Sequence, residues 1–411
     1  MRDLYEETSL SKEKVAKKTG FLDWNMQPSI FKAYPDSLFS YPLSTTPQLR
    51  ALYLARCVTS EHLLAGKAYK RLSTPSAGNL HPLEIYVQIR GIKGILSGIY
   101  HVNSDKDTLV LIRDIEADGV EEYVDLEQRF KGMIVMFSLV PFRSIWKYQQ
   151  RAFRYCYLDL GHQLANFHAA CIAEEQELTF LSEFDAFGLS KIMGMDEQEQ
   201  IVSTVLLGKE TEKNVQMFSS SLMRVQPTDY YEQAAIQEVI LKSYQAFDTP
   251  IADAVLRSVE NLDNLILTRR SAREFFLTEI KKESLEYIMH LLLQLPETIQ
   301  CHLILMRGEG FKSGLYQGVT LKREGVFINK MVDLLINQQF ILNASVVLVF
   351  SSPTYNVKLL MQSAYFTHIL SLTLRAMNIG LSGIGAFYDK DLQEFLETKD
   401  SILYTVAVGN I

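Results

Sequence analysis

The chain has 411 residues, 47% hydrophobic and 22% charged, with 41 Lys and Arg against 48 Asp and Glu. This is the composition of a globular protein of two or three domains or one large one, and it excludes a disordered or low-complexity role. A formal charge of −7 argues against nucleic acid as a partner, and four scattered cysteines (Cys57, Cys156, Cys171, Cys301) with no Cys-x-x-Cys pair fit reduced core thiols, not a disulfide framework or a zinc knuckle.

In chain order, the first twenty residues are charged and polar and lack the apolar stretch of a signal peptide. The longest apolar runs, such as Ser345 to Phe350, are too short to span a bilayer. The expectation is a cytoplasmic protein with no membrane partner. Gly94-Ile95-Leu96-Ser97-Gly98-Ile99-Tyr100 then introduces a turn and strand, and Ile134 to Ser138 reads as a buried strand. Arg151 to Glu175 carries Phe153, Tyr157, Leu160, Leu164, Phe167 and Cys171 at helical spacing. Ser203 to Gly208 reads as another strand, and the polar, irregular stretch from Lys209 to Asp248 reads as a connector, with Ser219 to Ser221 and Tyr230-Tyr231 on its surface.

Beyond the connector the pattern returns. Gly310 to Tyr316 resembles Gly94 to Tyr100, Val347 to Ser351 resembles Ile134 to Ser138, the helix bearing His368 parallels the one bearing His162, and Tyr404 to Gly409 parallels Ser203 to Gly208. The order is kept and the offset shrinks steadily, as after a duplication. The second long helix is expected over Gln362 to Asn378, with Gly380 as its stop. Each copy then reads as α+β, a mixed or antiparallel sheet flanked by helices. The expected organisation is a 1–45 N-terminal extension, a first domain at 46–225 and a second, degenerate copy at 226–411. Two such copies in one chain predict an intramolecular pseudo-dimer.

Two segments carry a family signature: Arg71 to Tyr86, containing Pro75-Ser76-Ala77-Gly78-Asn79-Leu80-His81-Pro82-Leu83-Glu84, and Arg269-Arg270-Ser271-Ala272-Arg273-Glu274-Phe275. Together they resemble the FMN-dependent nitroreductase superfamily, and the longer one resembles its SagB-type oxidases, which include azoline dehydrogenases of thiazole and oxazole biosynthesis. Trp146 to Tyr155 is similar to the Lys-Tyr segment of that subgroup, and Asp23-Trp24, Gln27-Pro28, Phe31-Lys32 and Tyr34-Pro35 are similar to its N-terminal extension. The resemblance implies two tandem nitroreductase-like domains and FMN as cofactor. It assigns Arg269, Ser271 and Arg273 to the flavin phosphate, the glycine-rich loop with Gly385 and Ala386 to the N5 edge, and Pro75, Ser76, Ala77, Gly78 and Asn79 to the ring.

Chemistry agrees in outline. Guanidinium forks and a hydroxyl suit a phosphate, better still at the start of a helix, which is expected directly after Arg273. Small residues let backbone approach a flat ring, and the Asn79 amide can both donate and accept at the pyrimidine edge. The first copy lacks a clean Arg-x-Ser-x-Arg, showing Arg56 to Ser60 in its place, and has Leu181 to Asp185 where the glycine loop would be. The second copy lacks the Pro-Ser segment. The losses are complementary, which predicts one working FMN site per chain built from both halves.

The same resemblance makes Lys147 and Tyr148 the candidate catalytic pair, able to take a ring proton during azoline oxidation; a purely structural role in an aromatic, cationic helix start remains open. So do ion pairing or substrate contact for Arg151 and Arg154, and pocket lining or packing for His81. No metal-ligand pattern appears. The implied substrate is a thiazoline or oxazoline on a peptide or carrier-protein-bound intermediate, with a cyclodehydratase or nonribosomal synthetase as possible partner. The alternatives are an NAD(P)H-dependent nitro, quinone or enone reductase and a flavin-free scaffold.

Overall fold

A computed structural model describes residues 2–17, 22–64, 67–247 and 251–411; Gly20 and Asp248, at the ends of two spans read from sequence, lie outside these. The chain divides into two compact units, Asp23–Pro250 and Met1–Leu22 with Ile251–Ile411. This partition differs from one drawn at 45 and 225, for local reasons. Leu10 N–H donates to Asp389 Oδ2 (2.8 Å) and Ile402 N–H to the Tyr5 hydroxyl (3.0 Å), which fastens the first residues to the later unit. Ser40–Pro42 adds an edge strand to Thr108–Asp114, so the later part of the extension is part of the first sheet. The connector is also structured: strand Gln200–Asn214 runs on through it, and helix Ala235–Lys242 is held where the Tyr157 hydroxyl donates to Ile240 O (2.6 Å).

In the Asp23–Pro250 unit one sheet runs Ser40–Pro42, Thr108–Asp114, Gly98–Asn103, Leu83–Arg90, Gln128–Leu139, Gln200–Asn214, Thr179–Phe180. In the other unit the sheet runs Thr320–Glu324, Gly314–Gln317, Gln300–Leu305, Val346–Ser352, Ser401–Asn410, Ile379–Ile384. Apart from the extra edge strand, the two orders are the same when strands are taken in chain order, and every pairing within both sheets is antiparallel. The long helices Ala152–Ala173 and Val357–Arg375 occupy the same place in the two topologies, as do the short helices Ala186–Ile192 and Asp389–Leu396. The α+β fold with a repeated, helix-flanked antiparallel sheet is therefore as the sequence implied.

The repeated glycine motif has a steric cause. Gly98 and Gly314 each sit one residue before a bulge in the pairing with the next strand, and a Cβ on Gly98 would stand 2.9 Å from Arg113 O; on Gly314 it would meet Arg323 O. Two residues on, the Tyr100 hydroxyl donates to Leu96 O and the Tyr316 hydroxyl to Lys312 O, both at 2.7 Å. Each unit has its own core, around Tyr86, Ile134 and Met136 in one and Val347, Val349 and Ala407 in the other. Helix Ala152–Ala173 is buried on all sides from Ala152 to Cys171, the polar Arg154, Asp159, His162, Gln163, Asn166 and His168 included. Gly380 is not the stop of the second long helix. That helix ends at Arg375, Asn378 takes the left-handed conformation (φ 56°), and Gly380 already lies in a strand opposite Gly409. Among the described residues no helix is long and apolar enough to cross a membrane.

Candidate active site

The Pro-Ser-Ala-Gly-Asn segment forms a tight turn before strand Leu83–Arg90. Ser76 is extended, and Gly78 (φ 65°), Asn79 (φ 59°) and His81 (φ 43°) adopt left-handed backbone. Such a run is costly for side chains other than glycine and asparagine, so it must be held from outside. The holding group is Asp159. From within the buried helix Ala152–Ala173 its carboxylate accepts from Ser76 Oγ (2.5 Å) and from Ala77 N–H (3.2 Å), while Ser76 Oγ accepts from His81 N–H (2.9 Å). Burial raises the Asp159 carboxyl to about 7, against the lowering effect of the Ser76 and Ala77 bonds.

These contacts show what the polar groups of the turn do within the protein. The Ala77 amide and Ser76 hydroxyl are already committed to Asp159, and Asn79 donates through Nδ2 to Lys70 O (2.8 Å) while its Oδ1 lies 3.1 Å from His81 Nε2. Asn79 therefore spends its amide on the turn. What the turn presents outward is the bare backbone at Gly78, which is exposed.

Lys147 and Tyr148 end helix Phe142–Tyr148 against that same glycine. A Cβ on Gly78 would lie 2.5 Å from the Tyr148 hydroxyl oxygen and 3.2 Å from Lys147 Nζ. The sequence-predicted pair and the Pro-Ser turn are thus brought together. Trp24 joins them: Lys147 Nζ stands 4.9 Å from its ring and 5.3 Å from that of Tyr148, and Trp24 packs edge-on against Trp146. Tyr148 also packs edge-on against Tyr155 at 4.5 Å. The helix breaks directly afterwards, at Gln149 (φ 50°, ψ −129°), an uncommon conformation for a residue with a side chain.

A second set of residues, quoted in the sequence motifs but assigned no role there, fixes the base of this helix. Glu84 is buried and accepts from Arg143 Nη2 (2.6 Å), Arg56 Nη1 (2.7 Å), the Lys32 backbone N–H (3.0 Å) and His101 Nε2 (3.1 Å). Burial pushes its carboxyl up, but Arg56, Arg143 and His101 outweigh that and hold it well below the usual range. Arg143 Nη1 also donates to His81 O (3.0 Å), tying helix Phe142–Tyr148 to the turn. Arg56, which stands where the first copy would have had its phosphate arginine, is spent on this ion pair. Glu199 makes a parallel cluster, pairing with Lys32 Nζ (2.6 Å) and accepting from Tyr86 (2.9 Å) and Ser138 (2.5 Å).

In the other unit the Arg-x-Ser-x-Arg segment does not precede a helix. It leaves one: helix Leu262–Thr268 ends at Arg269, and the next helix begins at Lys282. Ser271 instead bridges in parallel to Leu381, and Ala272 N–H donates to Leu381 O (3.0 Å), because the segment runs alongside strand Ile379–Ile384. Arg269 is buried, and burial together with neighbouring Arg270 lowers its guanidinium to about 10, still protonated at neutral pH. Arg273 is exposed, with its guanidinium 4.7 Å from the Phe340 ring. Of the expected N5 loop, Gly383 and Ile384 belong to the strand, where Gly383 leaves room for the Tyr404 hydroxyl; Gly385 and Ala386 follow it, half-buried, outside regular structure. The four cysteines are free, three buried and Cys301 half-buried; burial raises all four thiols, Cys57 to about 11.

Similarity to known proteins follows this geometry. Residues 54–209, which include the turn, Asp159 and the Lys-Tyr pair, match the family model described as the Nitroreductase family. A protein of Methanocaldococcus jannaschii named as a nitroreductase, MJ1384, is 32% identical over 130 residues, 31% of this chain and 62% of its own. The trifolitoxin-processing protein TfxB of Rhizobium leguminosarum bv. trifolii is 29% identical over 122 residues, 28% of this chain and 33% of its own. The chain thus spans less than two thirds of the length of either relative. A crystal structure of a nitroreductase-named protein from Anabaena variabilis shares the fold over 100% of this chain and 99% of its own, with TM-score 0.79 and 21% identity.

Proposed function

We propose that this chain is an FMN-dependent oxidoreductase of the SagB type that oxidises thiazoline or oxazoline rings to azoles on a peptide or carrier-bound intermediate. The observation that carries the reading is the cradle at Gly78: bare, exposed backbone that a single Cβ would fill, faced by an ammonium and a phenol on the adjoining helix end. In this reading the ring would lie over the exposed turn beside the Lys147 and Tyr148 side chains, and the lack of a Cβ at Gly78 is what lets that pair come so close to the backbone. Arg269, Ser271 and Arg273 remain the proposed phosphate residues. They do so through charge and a hydroxyl alone, since no helix start stands behind them. When bound, FMN supplies the acceptor for a hydride, chemistry that no side chain offers.

The chain's own part is to place the proton. The Lys147 ammonium lies over the ring of Trp24 at 4.9 Å and over that of Tyr148 at 5.3 Å, where a cation is attracted to the ring faces. The Lys147 ammonium would stabilise the ionised form of Tyr148, and the phenolate oxygen is then the group that takes the ring-carbon proton and becomes a neutral phenol as the hydride leaves. Asp159 and Arg143 hold the turn and the helix in register for this. The similarity to a trifolitoxin-processing protein supports a peptide substrate, and a biosynthetic partner that supplies the azoline would act upstream.

The test is anaerobic mixing of the FMN-loaded protein with an azoline-containing peptide. Bleaching of the flavin near 450 nm, on the order of 10²-fold slower in Lys147→Ala and Tyr148→Phe with FMN retained, is the expected result. Bleaching by NAD(P)H and not by the azoline would favour a reductase. Unchanged rates in both variants would remove the pair from the mechanism.

A further inference from the structure

Trp24 is 55% exposed, yet the segment that carries it is anchored in the core. It opens the short 3₁₀ turn Trp24–Met26, which Asp23 caps by accepting from Asn25 N–H (2.9 Å). A little further on, Ile30 O accepts from Arg56 Nη2 (3.2 Å). Lys32, which is buried, is bound through its backbone N–H to Glu84 and through Nζ to Glu199 and Tyr86. Two buried carboxylates thus fix the segment that brings an indole to the helix end bearing Lys147 and Tyr148.

There the Lys147 ammonium lies over the Trp24 ring at 4.9 Å and Trp146 packs on it edge-on at 5.6 Å. More than half of the Trp24 surface stays in water all the same, and Met26, 39% exposed, adds apolar surface beside it in the same turn. An indole gains more from burial than almost any other side chain, so one held in water on anchored backbone adds little to the fold. Tryptophan so placed is a common anchor of binding surfaces, because it offers a large, stiff, flat area to a ligand. Lys147 Nζ would stand 3.2 Å from a Cβ on Gly78, so the indole is one side chain removed from the turn. That is within reach of a residue adjoining a ring laid on the turn, since consecutive Cα atoms are about 3.8 Å apart.

We infer that Trp24 is a specificity-determining residue of the proposed oxidation: with Met26 it receives the flat, apolar side chain next to the azoline of a peptide substrate, while the azoline lies beside Lys147 and Tyr148. The inference rests on the reading of this site as one for a ring borne on a peptide. An aromatic neighbour of the azoline stacks on the indole and is favoured; a glycine neighbour has nothing to place there and is not.

The test compares the FMN-loaded parent with Trp24→Ala and Trp24→Phe, using azoline peptides that differ only in having phenylalanine or glycine next to the ring. Anaerobic flavin bleaching gives the half-saturating concentration and the limiting rate. The same two peptides with the ring already oxidised to the azole are titrated by calorimetry, which reads binding without turnover. The parent should take the phenylalanine peptide about tenfold more tightly than the glycine one, Trp24→Ala should lose that preference through half-saturation, and Trp24→Phe should keep most of it. Both tryptophans of the chain belong to this pair, so a change in tryptophan emission when the phenylalanine azole binds the parent reports contact at this spot. Equal binding of the two azole peptides by the parent, binding of neither, or a preference that survives in Trp24→Ala would overturn the inference, whether or not the flavin bleaches. So would a fall in limiting rate at unchanged half-saturation, which would make Trp24 a positioning residue for Lys147. Bleaching by neither azoline, with the Trp24-dependent preference present in calorimetry, would overturn the oxidation and support the binding.

Discussion

At the scale of single residues, Asp159 controls the site most directly. It is the one acidic residue in the helix Ala152–Ala173, and it grips the strained turn through Ser76 and Ala77. Its carboxyl is raised from 3.8 to about 7 by burial, so the folded state binds a proton more tightly than the unfolded chain does. The stability this proton confers is full below about pH 4 and is lost as pH rises through about 7, with a slope of at most ~1.4 kcal/mol per pH unit. Asp159→Asn should flatten that slope, so its stability relative to the parent should improve from pH 5 to pH 8; parallel urea-denaturation curves for the two proteins across that range would contradict it. Gly78→Ala must enter a left-handed conformation and displace the Tyr148 hydroxyl, so a loss of ~1–2 kcal/mol and a larger loss of FMN affinity are expected, read by melting and by flavin fluorescence. The turn and the Lys-Tyr pair were legible because a specific string carries them. Asp159 and Glu84 were not, since a carboxylate gains its meaning from partners such as Ser76 or Arg143 that sit far away in sequence. The signal available for Asp159 was that it is the one acid in a long helix whose other polar residues are basic or amide.

At the scale of elements, the repeated strand order explains why short sequence matches sufficed to read the duplication. Each match marks the same strand, helix or turn, as the Tyr100 and Tyr316 hydroxyl bonds show most plainly. Element edges were less legible. The Arg269 to Arg273 segment is expected to lead directly into a helix, yet it is the exit of helix Leu262–Thr268 and runs on beside Leu381, to which Ser271 and Ala272 pair. Glu84 on strand Leu83–Arg90 clamps helix Arg50–Arg56 through Arg56 and helix Phe142–Tyr148 through Arg143. Glu84→Gln leaves two buried guanidiniums short of charge, so it should cost about 3 kcal/mol or more in equilibrium unfolding. A loss under about 1 kcal/mol would show that the clamp does not hold these helices.

At the scale of the whole chain, the two units share one topology and divide between them the segments proposed to hold flavin. The turn, Lys147 and Tyr148 belong to Asp23–Pro250, and Arg269, Ser271, Arg273, Gly385 and Ala386 belong to the other unit. Each has lost what the other keeps, and this is the ground for proposing a single flavin per chain. The count of bound FMN therefore tests the account most directly. Gently purified protein, reconstituted with excess FMN and freed of unbound flavin, should carry close to one FMN per chain by absorbance against protein concentration. Two per chain would contradict the complementary loss, and none after reconstitution would contradict the oxidoreductase itself.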